Sequence, residues 1–144
     1  MKARTAIPLF LAILLAAGNI AAQTPPEQFL GFQVGADQKL ADYSQITAYF
    51  QKLAQETSMM KLFTIGESTL KKPMIMAAIS TPENLARLDR YKEIAHRLRD
   101  PRTTTAAEAA KLVKEGKAIV SITCSVHATE IAASQMSMEL AYKL

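Results

Sequence analysis

The stretch Ala118 to Gln135, AIVSITCSVHATEIAASQ, decides both the fold and the candidate site. Its first six residues, Ala118–Thr123, form an apolar and β-branched run that predicts a buried β-strand. His127 and Glu130 follow, and apolar residues from Ile131 onward predict a final helix. Residues three apart point to opposite faces of a strand, but they can converge in a turn or in the first turn of a helix. The stretch therefore predicts a strand, a turn and a helix, with a histidine and a glutamate close together in the turn.

This pair has the chemistry of a zinc site, because zinc accepts imidazole nitrogen and carboxylate oxygen, and catalytic sites use three protein ligands and a water. Simpler roles fit the spacing too: Glu130 can interact with a helix N-terminus, and His127 can bond a carbonyl in a loop. Cys124 is a candidate nucleophile or soft zinc ligand, or else a small buried residue that ends the strand. His96, the other histidine, is expected to be a solvated surface residue.

The first half of the chain carries signals for one helix and one hairpin. Residues 23–35 are expected to form an extended lead-in. Ser44 is the predicted cap of a helix that runs to about Glu56 and has one apolar face. That face consists of Ile46, Tyr49, Phe50 and Leu53. Two apolar runs, 60–65 and 74–79, flank a polar connection and predict a β-hairpin.

Two more helices are predicted before the strand. Thr81-Pro82-Glu83 combines a cap, a proline at the first helical position and an acid in the first turn, and Asp100-Pro101 ends that helix. Thr105 and Glu108 have capping-box spacing and open a shorter helix that Gly116 closes. The predicted fold class is therefore mixed α/β, with a sheet that needs further strands to be complete.

The first 22 residues predict an export signal. Lys2 and Arg4 form a basic start, Ala6–Ala17 is an apolar run, and small residues lead to a cleavage site after Ala22. The run is shorter than the about 20 residues that a membrane span needs, and an uncleaved N-terminal anchor is the alternative. We expect a secreted or periplasmic protein with a signal peptide at 1–22 and no stable membrane insertion after cleavage.

Composition excludes some classes of function. Without Lys2 and Arg4, 15 basic and 13 acidic residues remain. They are interspersed, so no nucleic-acid partner is expected. Cys124 is the only cysteine, so no intrachain disulfide can form. About 120 residues can bury one modest core, which permits one small domain or part of a larger one.

Four segments carry a family resemblance. They are ADYSQITAYFQKLAQET (41–57), KLFTIGESTLKKPMIMAAIS (61–80), STPENLARLDRYKEIAHRLRDPR (80–102) and ITCSVHATEIAASQMSMELAYKL (122–144). In this order they resemble the first helix, the first hairpin, an insertion of large secreted bacterial members and the first metal-binding segment of the carboxypeptidase A-like zinc carboxypeptidases. In that last segment, a central strand ends in His-x-x-Glu and runs into a helix. Lys71-Lys72 stands where the family usually has Gly-Arg.

The resemblance implies that His127 and Glu130 are the first two ligands of a Zn²⁺ ion in an enzyme that removes C-terminal residues from peptides or proteins. In such an enzyme the metal polarises the scissile carbonyl and activates a water, whose proton a glutamate accepts. The family's third ligand, substrate-binding arginines and general-base glutamate come later than Leu144, so no catalytic residue is assigned here. We expect 23–144 to be the N-terminal, truncated portion of this mixed-sheet, phosphorylase/hydrolase-like catalytic domain, and to be inactive alone.

Two other functions stay open. Zinc amidohydrolases or deacylases of small acyl-amino acids share the scaffold and the His-x-x-Glu pair, although the helical segment Pro82–Arg102 and the export signal favour the peptidase. The other is a secreted binding module without metal or catalysis. In that case, replacing His127 and Glu130 changes neither stability nor zinc content.

Overall fold

The computed structural model of the protein describes residues 22–144, so the predicted signal peptide lies outside the described residues apart from Ala22. The elements are α1 (Pro26–Leu30), α2 (Tyr43–Glu56), β1 (Met60–Glu67), β2 (Pro73–Ile79), α3 (Pro82–Leu85), α4 (Leu88–Arg99), α5 (Ala106–Glu115) and α6 (Ile131–Lys143). The predicted mixed α/β class is confirmed. Within 22–144, no helix has both the length and the apolar character needed to cross a membrane.

Helix α2 forms the centre of the main core. All four residues of its predicted apolar face are buried, and Tyr49 and Leu53 are almost fully so. The cap is Asp42, two residues earlier than the predicted Ser44. The Asp42 carboxylate accepts from the Gln45 N–H, and the Gln45 side-chain oxygen accepts from the Asp42 N–H, each at 2.9 Å. This reciprocal capping box satisfies two backbone amides at once. Ser44 lacks the glutamate or glutamine three residues later that such a box requires.

The predicted extended lead-in is wrong, because it contains the short helix α1. Pro26 occupies the first turn, and Gly31 ends the helix in the left-handed conformation, with φ 76°. A proline at the start and a glycine just past the end are ordinary helix boundaries, so the signal was present in the sequence. Phe29 packs against the ring of Tyr49 with 5.5 Å between ring centroids, which attaches α1 to α2.

The predicted hairpin is confirmed as an antiparallel pair of strands. Its register shifts between Thr64 and Gly66, so β1 continues through a bulge to Glu67 and does not stop at Gly66. The side chains that pack against the α2 core are those of Leu62, Ile75, Ala77 and Ile79. In the connecting turn, Lys71 has φ 58°, a conformation that suits the glycine of the family pattern better than a lysine.

Helices α4 and α5 pack around a small core of their own, which consists of Tyr91, Ile94 and Leu112. The helix predicted from Pro82 to Arg99 is divided at Ala86-Arg87 into α3 and α4. The capping box of α5 is confirmed. Arg90 binds both carboxylate oxygens of Glu115, at 2.8 and 2.6 Å, and this ion pair lowers the pKa of Glu115.

The buried strand predicted at Ala118–Thr123 does not form within the described part of the chain. Residues 116–125 adopt neither helix nor strand, and the sheet of 22–144 has two strands, β1 and β2. The side chains of Ile119, Val120 and Ile122 are 69%, 81% and 56% exposed. A strand needs a hydrogen-bonding neighbour from elsewhere in the chain, and the composition of this run does not supply one.

Helix α6 packs on α2 and extends the main core. Met138 is fully buried and Ala141 nearly so. Gln135 of the same helix is also buried, although its side chain is polar. Its side-chain oxygen accepts from the Ala41 N–H, and its side-chain nitrogen donates to the Ala41 carbonyl, both at 2.9 Å. The amide thus satisfies both backbone groups of a residue 94 positions away.

Replacing Gln135 with leucine should lower the free energy of unfolding by about 2–4 kcal/mol, because it leaves two buried backbone groups without partners. Urea denaturation of the purified chain measures the change. Gln51→Leu, at an exposed position of α2, is the matched control and should change stability by less than about 0.5 kcal/mol. Equal effects of the two substitutions would contradict the structural role of Gln135.

Glu56 binds the N-terminal segment to the end of α2 through hydrogen bonds with Thr24. Its carboxylate accepts from the Thr24 N–H at 2.8 Å and from the Thr24 hydroxyl at 2.7 Å, and pairs with Lys52 at 2.7 Å. The hydrogen bond from Lys52, followed by the one from the Thr24 backbone, lowers the pKa of Glu56 to about 2. Tyr49 completes the cluster, because its hydroxyl donates to the Thr24 carbonyl at 3.1 Å.

Because the folded pKa of Glu56 is below its value of 4.5 in the unfolded chain, its contribution is complete above pH 4.5 and is lost as pH falls toward 2. We expect Glu56→Gln to cost about 1–2 kcal/mol at pH 7 and much less near pH 2. Denaturation at a series of pH values tests this, with Glu27→Gln, exposed on α1, as control. A cost that does not change with pH would contradict the assignment.

Candidate metal centre

The candidate metal centre lies in the loop that leads into α6. Ser125 has φ 87°, a left-handed conformation that is uncommon for a serine. Its hydroxyl donates to the carbonyl of His127 at 3.0 Å, and the Glu130 N–H donates to the same carbonyl at 3.1 Å. These bonds close residues 125–130 into one tight turn directly before Ile131, the first residue of α6.

The turn brings the two predicted ligands together. Nδ1 of His127 lies 2.9 Å from Oε1 of Glu130, and the His127 N–H donates to Oε2 at 3.4 Å. The hydrogen bond from the His127 ring, followed by the one from its backbone, lowers the pKa of Glu130. Glu130 is the N-cap residue of α6, but its side chain makes no cap hydrogen bond. Its carboxylate therefore interacts with His127 and not with the first amides of the helix.

The two donors fit a zinc ion. Two ligands at about 2.0–2.2 Å from one tetrahedral zinc are about 3.4 Å apart. The observed 2.9 Å is the length of a direct hydrogen bond, so a zinc ion would replace that bond and separate the two donors by about 0.5 Å. Zinc binds anionic carboxylate and neutral imidazole, which are the groups that Glu130 and His127 provide. The His127 and Glu130 side chains are 72% and 55% exposed, so an ion can reach both donors without any opening of the core.

The other candidate residues do not join this pair. Within residues 22–144, no group of three or more histidine, cysteine, aspartate or glutamate side chains is placed to hold one metal ion. Cys124 is half-buried and ends no strand, so its predicted role as the buried last residue of a strand is wrong. His96 is an exposed residue of α4, as predicted.

The position of the pair depends on α6, which follows it directly. The helix is attached to the segment before α2 through Gln135, and its Met138 belongs to the main core. The sequence alone did not predict the roles of Gln135 and Ser125. The signal for Gln135 was weak, because it consisted only of a polar side chain on a helix face that has to be buried. Nothing in the sequence marked Ser125 as left-handed.

A cleft of about 750 Å³ separates the loop 34–40 from α6. Its wall on the helix side begins at Ile131, next to Glu130, and includes Met136 and Glu139. A second cleft, about 380 Å³, lies between α4 and residues 116–119, and the candidate ligands do not line it. His127 and Glu130 do not line the cleft along α6 either, although its wall begins at the residue after Glu130.

Comparison with known proteins gave one match. Residues 46–144 match the family model described as zinc carboxypeptidase, so the match runs from α2 through the His127–Glu130 turn to the end of α6. No curated protein and no solved structure gave a significant match. The family match covers more than half of the chain, and with it the resemblance inferred from the four sequence segments is confirmed. The chain belongs to the zinc carboxypeptidase family.

Proposed function

We propose that this protein is a zinc-dependent metallocarboxypeptidase that hydrolyses C-terminal peptide bonds of peptides or proteins. The observation that carries the proposal is the 2.9 Å contact between His127 Nδ1 and Glu130 Oε1 inside the region that matches the family. In this proposal both residues are zinc ligands. Family membership supports the reaction class, and the exposed pair of an imidazole and a carboxylate supports the metal.

The zinc ion would supply Lewis acidity toward the scissile carbonyl and a water activated at neutral pH. The contribution of this chain is to hold two donors in place. Glu130 presents a carboxylate, and His127 presents a ring nitrogen that lies 2.9 Å from that carboxylate. Because residues 22–144 bring together two candidate ligands and not three, we propose that this chain alone binds zinc weakly and has negligible peptidase activity.

The proposal extends to the domain organisation. Residues 23–144 would form the N-terminal portion of the catalytic domain, and Ala118–Thr123 would become a strand of its mixed sheet. The exposed side chains of Ile119, Val120 and Ile122 support this, because an apolar β-branched run next to the metal ligands is costly to leave in water. Residues 1–22 would be the signal peptide of a secreted or periplasmic product.

Zinc binding tests the metal assignment. In titration calorimetry we expect weak binding to the mature chain, and a loss of affinity of at least about tenfold in the His127→Ala, Glu130→Ala double variant. Zinc should also raise the thermal unfolding midpoint of the parent and leave that of the variant unchanged. His96→Ala, at an exposed histidine of α4, is the control for adventitious binding. Equal affinities of the parent and the double variant would contradict the site and favour a binding module without metal.

Hydrolysis assays test the proposed inactivity of the chain alone. With zinc present, we expect the mature chain to release C-terminal amino acids from peptides no faster than the double variant does. Release that depends on His127 and Glu130 would support the peptidase and contradict the proposed inactivity of the chain alone. Hydrolysis of N-acyl amino acids that depends on the same two residues would instead favour the amidohydrolase function.

A further inference from the structure

Ser125 stands at the one point in the loop before α6 where the backbone has a positive φ, 87°. An L-residue in the left-handed region carries a steric cost that surrounding contacts must offset. The contact observed is the hydrogen bond from the Ser125 hydroxyl to the His127 carbonyl at 3.0 Å. Ser125 therefore combines an unusual backbone conformation with a side-chain hydrogen bond to His127.

The His127 carbonyl is the central acceptor of the turn. It accepts from Ser125 on one side and from the Glu130 N–H, at 3.1 Å, on the other. Both bonds restrict the peptide group that carries His127, and through it the direction of the imidazole toward Glu130. Residues 116–130 contain no buried side chain, so the core does not orient this ring. The orientation depends on the bonds within the turn.

We propose that Ser125 is a positioning residue for the metal site, which acts through its left-handed backbone and through its hydroxyl bond to the His127 carbonyl. This inference rests on the proposed function, since it takes His127 and Glu130 to be zinc ligands. Ser125 contacts neither the metal nor the substrate in this role. It holds the two donors in the arrangement that binds zinc, and so reduces the ordering that must accompany binding.

Three substitutions separate the two contributions. Ser125→Gly keeps the left-handed conformation accessible and removes the hydroxyl, Ser125→Val removes the hydroxyl and disfavours a positive φ, and Ser121→Ala removes an exposed hydroxyl of the same segment as control. Zinc affinity is measured by titration calorimetry of the mature chain, and thermal unfolding of the metal-free protein is measured in parallel. The double variant His127→Ala, Glu130→Ala is titrated beside them.

We expect the zinc dissociation constant to rise about tenfold in Ser125→Gly and up to about 100-fold in Ser125→Val, the range found for residues that orient metal ligands. Ser121→Ala should bind like the parent. The metal-free unfolding midpoint should be unchanged in Ser121→Ala and Ser125→Gly, because neither side chain belongs to the core. It should be slightly lower in Ser125→Val, because valine disfavours a positive φ. A merely structural role would lower that midpoint in the two Ser125 variants and leave zinc affinity unchanged.

The outcomes distinguish this inference from the function on which it rests. If both Ser125 variants bind zinc with the affinity of the parent while the double variant loses affinity, the role of Ser125 is overturned and the metal site stands. Zinc binding that the double variant retains, or no zinc binding by the parent at any concentration at which it stays soluble, would overturn both. An effect in Ser125→Val but not in Ser125→Gly would overturn the role of the hydroxyl and support that of the backbone.

Discussion

The amide of Gln135, bonded to both backbone groups of Ala41, is the contact on which the C-terminal part of the structure depends. It joins positions 94 residues apart in a buried environment, where an unpaired backbone group is costly. Helix α6 adds Met138 and Ala141 to the main core beside it. The N-terminus of α6 therefore has a defined place relative to α2, and so does the turn that precedes it.

The candidate metal centre combines this long-range anchor with local bonds. The helix determines where Glu130 lies, while the turn from Ser125 to Glu130 determines how His127 faces it. The pair itself is exposed, and so are the apolar residues Ile119, Val120 and Ile122 upstream. With α6 on one side and an exposed loop on the other, both donors are accessible to solvent.

The helices were the most predictable elements, because their boundaries depend on neighbouring residues. The box of Thr105 and Glu108 and the cap at Thr81 form as expected. Errors of detail came from competition between local signals: Asp42 with Gln45 is a better cap than Ser44. The strand at Ala118–Thr123 failed for a different reason. Its β-branched composition was evident. Strand pairing, however, requires the edge of a neighbouring strand formed by other residues, and no local sequence pattern predicts whether one is present.

The sequence by itself determined the apolar face of α2, the hairpin, the capping box of α5, the spacing of His127 and Glu130, and the family that the four segments resemble. These features depend on periodicity and capping, which operate over three to seven residues. The tertiary structure decided that the two donor atoms face each other at 2.9 Å, that Ser125 is left-handed, and that Gln135 reaches Ala41. The contact between Gln135 and Ala41 depends on the packing of distant segments and on the satisfaction of buried polar groups. The other two features depend on hydrogen bonds within the turn 125–130, which the spacing of residues alone does not specify.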